Sequence, residues 1–253
     1  MEGNEIIKFI VSASLSQDPE RNIKLGEPLI YQVENIKTTI INNKVDATKL
    51  SLTLEIDTTD KERAKFIAEG EVIRIANLLS WERSVPIRNP RVGAMHYSTK
   101  TGNMNAVAFV ETLHINARLS MNVILNKQGV QMLSEKLSSN SQIPEEIQLM
   151  WREAISEESK SLQFLLYFRI LEHINCNRRS SADSYIKQVE PTVPLEKGLH
   201  GEDISVYTYL RDNIHAKNPS FPYKDIERYL PKLRGLVRTA IENLYSGNLT
   251  KKE

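Results

Sequence analysis

Two side chains near the end of the chain have the types and spacing for acid–base chemistry on a phosphodiester. In the segment DISVYTYLRDNIHA, Arg211 and His215 stand four residues apart. On an α-helix that spacing is about 40° of rotation, so both leave the same face one turn apart. An imidazole titrates near neutrality and can take or give a proton. A guanidinium stays charged and grips phosphate oxygens in a fork. Without a metal, such a pair can deprotonate a ribose 2′-OH or protonate a leaving 5′-oxygen, while the guanidinium stabilises charge on the phosphorus oxygens. An arginine and a histidine at this spacing are also, ordinarily, no more than solvated neighbours on a helix.

The elements that must position this pair are helical. From residue 142 onward the apolar residues recur at three and four, and the spacing predicts a bundle of four or five helices. Pro144, Glu145 and Glu146 suit a helix start, and a first helix is expected over 145–155. The run EESKSLQFLLYFRILEHI is apolar nearly all round, as a helix packed on several sides would be. Residues 177–198, with Pro191 and Pro194, read as a polar connection. The candidate pair lies on a helix over 203–216, and a last amphipathic helix runs from about 223 to 245. Pro231 is expected to kink or split that last helix because it lacks a backbone donor. Arg228 and Lys232 project opposite its apolar face.

The first half has a different period. Residues 5–14, 29–33, 38–41 and 50–56 are β-branched or alternate with a period of two, as half-buried strands do. Further strands are expected over 106–111 and 112–118. One long helix is expected over 61–79, with Thr58, Thr59 or Asp60 capping it. The stretch 81–101, with two prolines and a glycine, reads as a long irregular connection. The fold class is therefore α+β: a β-rich domain over 1–141 with one long helix, then an all-α helical bundle over 142–253.

The chain has 253 residues, 33 basic against 32 acidic, and a net charge of +1. From Lys224 to the end there are seven basic and four acidic residues, a mildly basic region that permits nucleic acid without demanding it. A single cysteine, Cys176, excludes an intrachain disulfide and points to a reducing compartment. The start MEGNEIIKFIVSAS carries acidic residues where a signal peptide would carry basic ones, and no segment is long and apolar enough to span a bilayer. A cytoplasmic protein without membrane contact is expected. No P-loop, dinucleotide-binding glycine pattern or nucleophile elbow occurs, so no cofactor is expected. His173 and Cys176 have a ligand-like interval but no second pair to complete a zinc site. Arg169 and His173 repeat the four-residue spacing, yet their helix is so apolar that His173 is expected to be buried.

A helical bundle carrying YLRDNIHAKN on its penultimate helix, followed by a basic amphipathic helix, resembles the HEPN superfamily, particularly its ApeA-like branch. Arg211, Asp212 and His215 match by type the family's arginine, polar residue and histidine, with a spacer shorter than the usual one. Glu172, in the sequence FRILE, matches the acidic residue that supports the family's site. The resemblance covers roughly residues 145–246. It implies a homodimer or higher assembly that sets two Arg/His faces across one cleft. It also implies RNA as partner, and either a metal-independent endoribonuclease of a toxin or antiviral defence system or an inactive relative. Arg178, Arg179, Arg228 and Lys232 are then candidates for positioning nucleic-acid phosphates, and Tyr207, Tyr209, Phe221 and Tyr223 for stacking on unpaired bases. Two other readings stand beside it: a catalytically silent interaction and oligomerisation module, and a small-molecule-binding β domain with a helical dimerisation tail.

Overall fold

The computed structural model describes residues 7–19, 21–46, 48–98, 104–107, 121–139, 142–216 and 223–245. The chain divides into two compact units, Met1–Ser141 and Gln142–Glu253. The fold is α+β, with strands in the first unit and helices in the second.

The first unit is built on the alternating segments. β1 (Ile7–Gln17), β2 (Arg21–Leu25), β3 (Leu29–Val33), β4 (Ile36–Asn42) and β5 (Lys49–Thr58) precede α1 (Lys61–Arg83). β6 (Ile87–Ser98), β7 (Met104–Val107), β8 (Met121–Leu125) and α2 (Lys127–Ser138) follow it. Six strands form one antiparallel sheet in the order β3-β4-β5-β1-β6-β7, and β2 pairs in parallel with β8. The pleat sends Leu50, Leu52, Leu54 and Ile56 to one face, beside Phe9, Val11, Ala13 and Leu15 of β1, and all eight are buried. Against this core lies α1, whose Ala64, Ala68, Val72, Ile75 and Leu79 are buried at helical spacing. Asp60 is its N-cap, accepting from the Arg63 backbone N–H at 2.8 Å.

Two amides at strand ends hold β2 in place. Gln17 accepts from the Ile23 N–H at 2.7 Å and donates to the Ile23 carbonyl at 3.2 Å. Asn42 does the same to Leu25, at 2.9 and 2.7 Å. Each side chain thus replaces a ladder pair that β2 lacks on that side. Gln17 is 5 % exposed, so Gln17→Leu, which keeps the bulk and strands both Ile23 groups, is expected to cost about 1–3 kcal/mol. Urea unfolding followed by the fluorescence of Trp81, in a Trp151→Phe background, reads that loss.

Three expectations for this unit change. The expected connection over 81–101 contains β6, a twelve-residue strand paired with β1 and β7. Its punctuating residues sit at irregularities of the pairing. Register shifts fall between Ser14 and Ser16 and between Val11 and Ala13 of β1, opposite Asn89–Pro90 and Gly93. Asn89 has a positive φ of 46°, and a Cβ on Gly93 would stand 3.3 Å from the Ser12 carbonyl oxygen. A bulge is where a strand tolerates a missing N–H and needs a small residue. Second, α2 is a helix the sequence reading did not expect, capped by Asn126 through the Gly129 N–H at 2.9 Å. Third, β7 covers 104–107, while the strand expected over 112–118 lies outside the described residues.

The second unit is the helical region: α3 (Glu145–Ser156), α4 (Lys160–Ile174), α5 (Arg179–Val189), the short strands β9 (Leu195–Lys197) and β10 (Asp203–Ser205), α6 (Val206–His215) and α7 (Tyr223–Tyr245). The helix α4 packs on α3, α5, α6 and α7, which is why its apolar residues surround the axis. Trp151 of α3 meets Tyr167 of α4 edge to face at 5.3 Å, and both are fully buried. The connection expected over 177–198 instead carries α5 and β9. Pro231 lies inside one unbroken helix. Its missing donor would have met the carbonyl of Glu227, and both residues are exposed, so water can satisfy that group. No helix among the described residues is long and apolar enough to cross a membrane.

Candidate functional site

The helix bearing Arg211 and His215 is fixed at its first turn. Ser205 is the N-cap of α6, with Oγ accepting from the Thr208 N–H at 3.3 Å. Beneath the cap, Asp183 of α5 accepts from the Ser205 N–H at 2.8 Å and from the Thr208 hydroxyl at 2.6 Å. Lys187, one turn further along α5, pairs with its other oxygen at 2.6 Å. Burial opposes ionisation of Asp183, but the bonds from Lys187, Thr208 and Ser205 outweigh it and hold the carboxyl below its ordinary range. The N-terminus of α6 therefore cannot slide relative to α5.

One and a half turns later, Arg211 leaves the helix half-buried. Its guanidinium donates to Glu172 Oε1 of α4 at 2.9 Å and to Asp212 Oδ1 at 3.1 Å, and its centre lies 5.9 Å from the Phe168 ring. Asp212 also meets a second guanidinium, Arg179 Nη2 of α5, at 2.9 Å. Arg179 reaches Glu202 Oε1 at 3.5 Å as well. The result is a chain of alternating charge: Glu172, Arg211, Asp212, Arg179, Glu202. His215 is the last residue of α6 and is exposed. Four of the residues singled out from the sequence (Arg211, Asp212, Glu172 and Arg179) thus come into direct contact, with His215 one turn along the same helix.

The remaining candidates lie elsewhere. Arg178 is exposed and precedes α5 as its N-cap residue. Arg228 and Lys232 are exposed one turn apart on α7 and flank the Tyr229 ring, at 5.3 and 5.6 Å from its centroid. Tyr229 in turn packs edge to face on Tyr207 at 5.6 Å. Tyr207 is fully buried and donates to Glu190 at 3.0 Å; burial and that carboxylate push its phenol upward. It belongs to the core and offers no stacking face. Tyr209 is half-buried and Tyr223 exposed, while Phe221 lies outside the described residues.

A groove of about 320 Å³ opens between α3 and α4. Its walls include Glu146, Glu153, Arg169, Glu172 and His173, with Met150 on the apolar side. His173, expected to be buried, is half-exposed there. Glu172 belongs both to this wall and to the Arg211 ion pair, so the groove ends at the charged chain. Among the described residues no group of three or more His, Cys, Asp or Glu is placed to hold a metal ion.

Against protein-family models, curated proteins and solved structures, the chain has no match. What the site can do is therefore argued from its own geometry. Sequence reasoning missed the meeting of Arg179 and Asp212, which lie on different helices with nothing local to link them. It named Arg169, Glu172 and His173 but not that the three line one groove, for which their spacing of three and one on an otherwise apolar helix was the available signal.

Proposed function

We propose that the helical unit is a HEPN-like RNA-binding domain that cleaves RNA without a metal, using Arg211 and His215 and acting as a homodimer. One observation carries this reading: an exposed imidazole stands one helical turn from a guanidinium that Glu172 of α4 holds at 2.9 Å. The His215 imidazole takes the ribose 2′-OH proton as the O2′–P bond forms. The P–O5′ bond breaks, and the proton is returned to the 5′-oxygen. The products are a 2′,3′-cyclic phosphate and a 5′-hydroxyl. Arg211 stabilises the charge on the phosphorus oxygens through the transfer. Glu172 positions Arg211 and does not touch the substrate.

The test is incubation of the whole protein with a mixed RNA pool in EDTA, beside His215→Ala and Arg211→Ala. Cleavage that survives chelation and falls at least about a hundredfold in both variants is the expected result. Absent cleavage, or equal cleavage in the variants, removes the nuclease. Light scattering after gel filtration reads the expected dimer mass.

A second reading has its own observation. Arg211 already meets two carboxylates, so its charge is locally neutralised, as in a purely structural ion-pair chain. On that reading the unit is a silent interaction module, and the variants change neither RNA binding nor RNA integrity.

A further inference from the structure

We infer that Arg179 and Arg211 form a two-guanidinium clamp for a phosphodiester, in which Asp212 occupies the anion position as a displaceable carboxylate. This rests on the RNA reading above and specifies where the phosphate sits.

The geometry is that of two cations sharing one anion. Asp212 Oδ1 receives Arg211 Nη1 at 3.1 Å, and Oδ2 receives Arg179 Nη2 at 2.9 Å. Two guanidinia carried by different helices meet one carboxylate, whose charge offsets their mutual repulsion. The two non-bridging oxygens of a phosphodiester present nearly the same fork as a carboxylate, and guanidinium groups bind both in that manner. The position that Asp212 fills is thus one that a backbone phosphate fits.

Each guanidinium has a second carboxylate partner besides Asp212: Arg211 meets Glu172 and Asp212 through different nitrogens, while Arg179 meets Glu202 and Asp212 through the same Nη2. Glu172 holds Arg211 from α4. Glu202 faces Arg179 from the turn between β9 and β10. Glu202 accepts from the His200 N–H at 2.9 Å, and its carboxylate lies beside Gly198. Asp212 is a short side chain, 18 % exposed, and rotation about its first torsion carries the carboxylate out of the fork. The side chains of Arg179 and Arg211 are 36 % and 25 % exposed, so a strand reaches them from solvent. His215 follows Asp212 by three residues on the same helix, which sets the imidazole beside a phosphate held in this clamp.

The test uses the full chain and a short, fluorescently labelled single-stranded 2′-O-methyl RNA, which binds but lacks the reactive hydroxyl. Asp212→Asn keeps the shape of the side chain and removes the competing charge. It is expected to tighten binding about tenfold at fixed salt. Adding Arg179→Gln to Asp212→Asn is expected to erase that gain and lower the salt slope by about one. Glu196→Gln, the same charge change on the exposed strand β9, is expected to leave affinity unaltered. Unchanged or weaker binding by Asp212→Asn, or an equal gain in Glu196→Gln, overturns the clamp. If the wild-type chain binds this RNA with ordinary salt dependence and Asp212→Asn gains nothing, the clamp fails and the RNA reading stands. If no form binds, both fail.

Discussion

Glu71→Ala is expected to destabilise the first unit by about 3–5 kcal/mol, the cost of breaking a buried ion pair by removing one partner. Glu71 lies in α1, 7 % exposed. It accepts from the Tyr31 hydroxyl at 2.5 Å and from Arg74 Nε and Nη2 at 2.7 Å each. Arg74 Nη2 continues to the Leu137 carbonyl of α2 at 3.0 Å, and its guanidinium lies 5.8 Å from the Tyr31 ring centre. Strand, long helix and second helix therefore meet through one carboxylate. Burial, then the Glu71 charge, pushes the Tyr31 phenol up, so it stays protonated and donates. Truncation leaves a half-buried guanidinium and a buried hydroxyl without that acceptor. Glu71→Gln, which retains an acceptor for Tyr31 but not the charge, is expected to cost less. Tyr31→Phe combined with Glu71→Leu and Arg74→Leu is expected to recover most of the loss, because no charge is then left uncompensated. Urea unfolding with Trp81 as reporter separates these outcomes. Equal losses in the alanine and triple variants would show that packing volume, not charge satisfaction, holds the contact.

This triad has no local signature, and the same is true of most of what sequence reasoning missed. Strands β3, β4 and β5 and helices α1, α3, α4 and α7 were legible because each buries one face or, in α4, nearly all faces, and the period of burial is written in consecutive residues. The strand β6 was not legible, since Pro90 and Gly93 read as breakers until β1 is there to bulge against them. The helix α5, RSSADSYIKQV, buries only Ala182, Asp183 and Ile186. Its serines favour turns in isolation, and packing on its neighbours overrides that preference. The candidate site divides in the same way. Arg211 and His215 were legible as neighbours on one helix, and Asp212 and Glu172 entered by resemblance. The contact of Arg179 with Asp212 was not legible, because it depends on where α5 starts, which the sequence reading placed inside a loop.

Asp183→Ala is expected to be the corresponding lesion in the second unit, costing about 3–5 kcal/mol and loosening the start of α6. Removing the carboxylate strands the buried Ser205 N–H, leaves the Thr208 hydroxyl only Ser205 Oγ at 3.1 Å, and leaves Lys187 only the Asp203 carbonyl at 2.6 Å. Asp183→Asn is expected to be milder, because its amide oxygen can still accept from Ser205 and Thr208 while Lys187 keeps the Asp203 carbonyl. The two variants also differ from wild type in pH dependence. The folded chain holds this carboxyl below its ordinary range despite burial, through its hydrogen bonds. An unfolded aspartate titrates near about 3.9, so on acidification the unfolded chain takes up the proton first. The stabilisation from Asp183 is therefore complete above that value and is lost as pH falls through the lower, folded one. Asp183→Asn should lack this part of the acid limb, which unfolding midpoints between neutral and acidic pH, read by Trp151 in a Trp81→Phe background, would register. An acid limb of unchanged depth in Asp183→Asn would place the titrating group elsewhere. The functional consequence follows from the same bonds: Asp183 touches no candidate reacting group, yet it sets the start of the helix on which Arg211, Asp212 and His215 are spaced. If the proposed nuclease reading holds, a variant that remains folded but frays this turn loses RNA cleavage through misplacement of the pair, with Asp183→Asn retaining most of what Asp183→Ala loses.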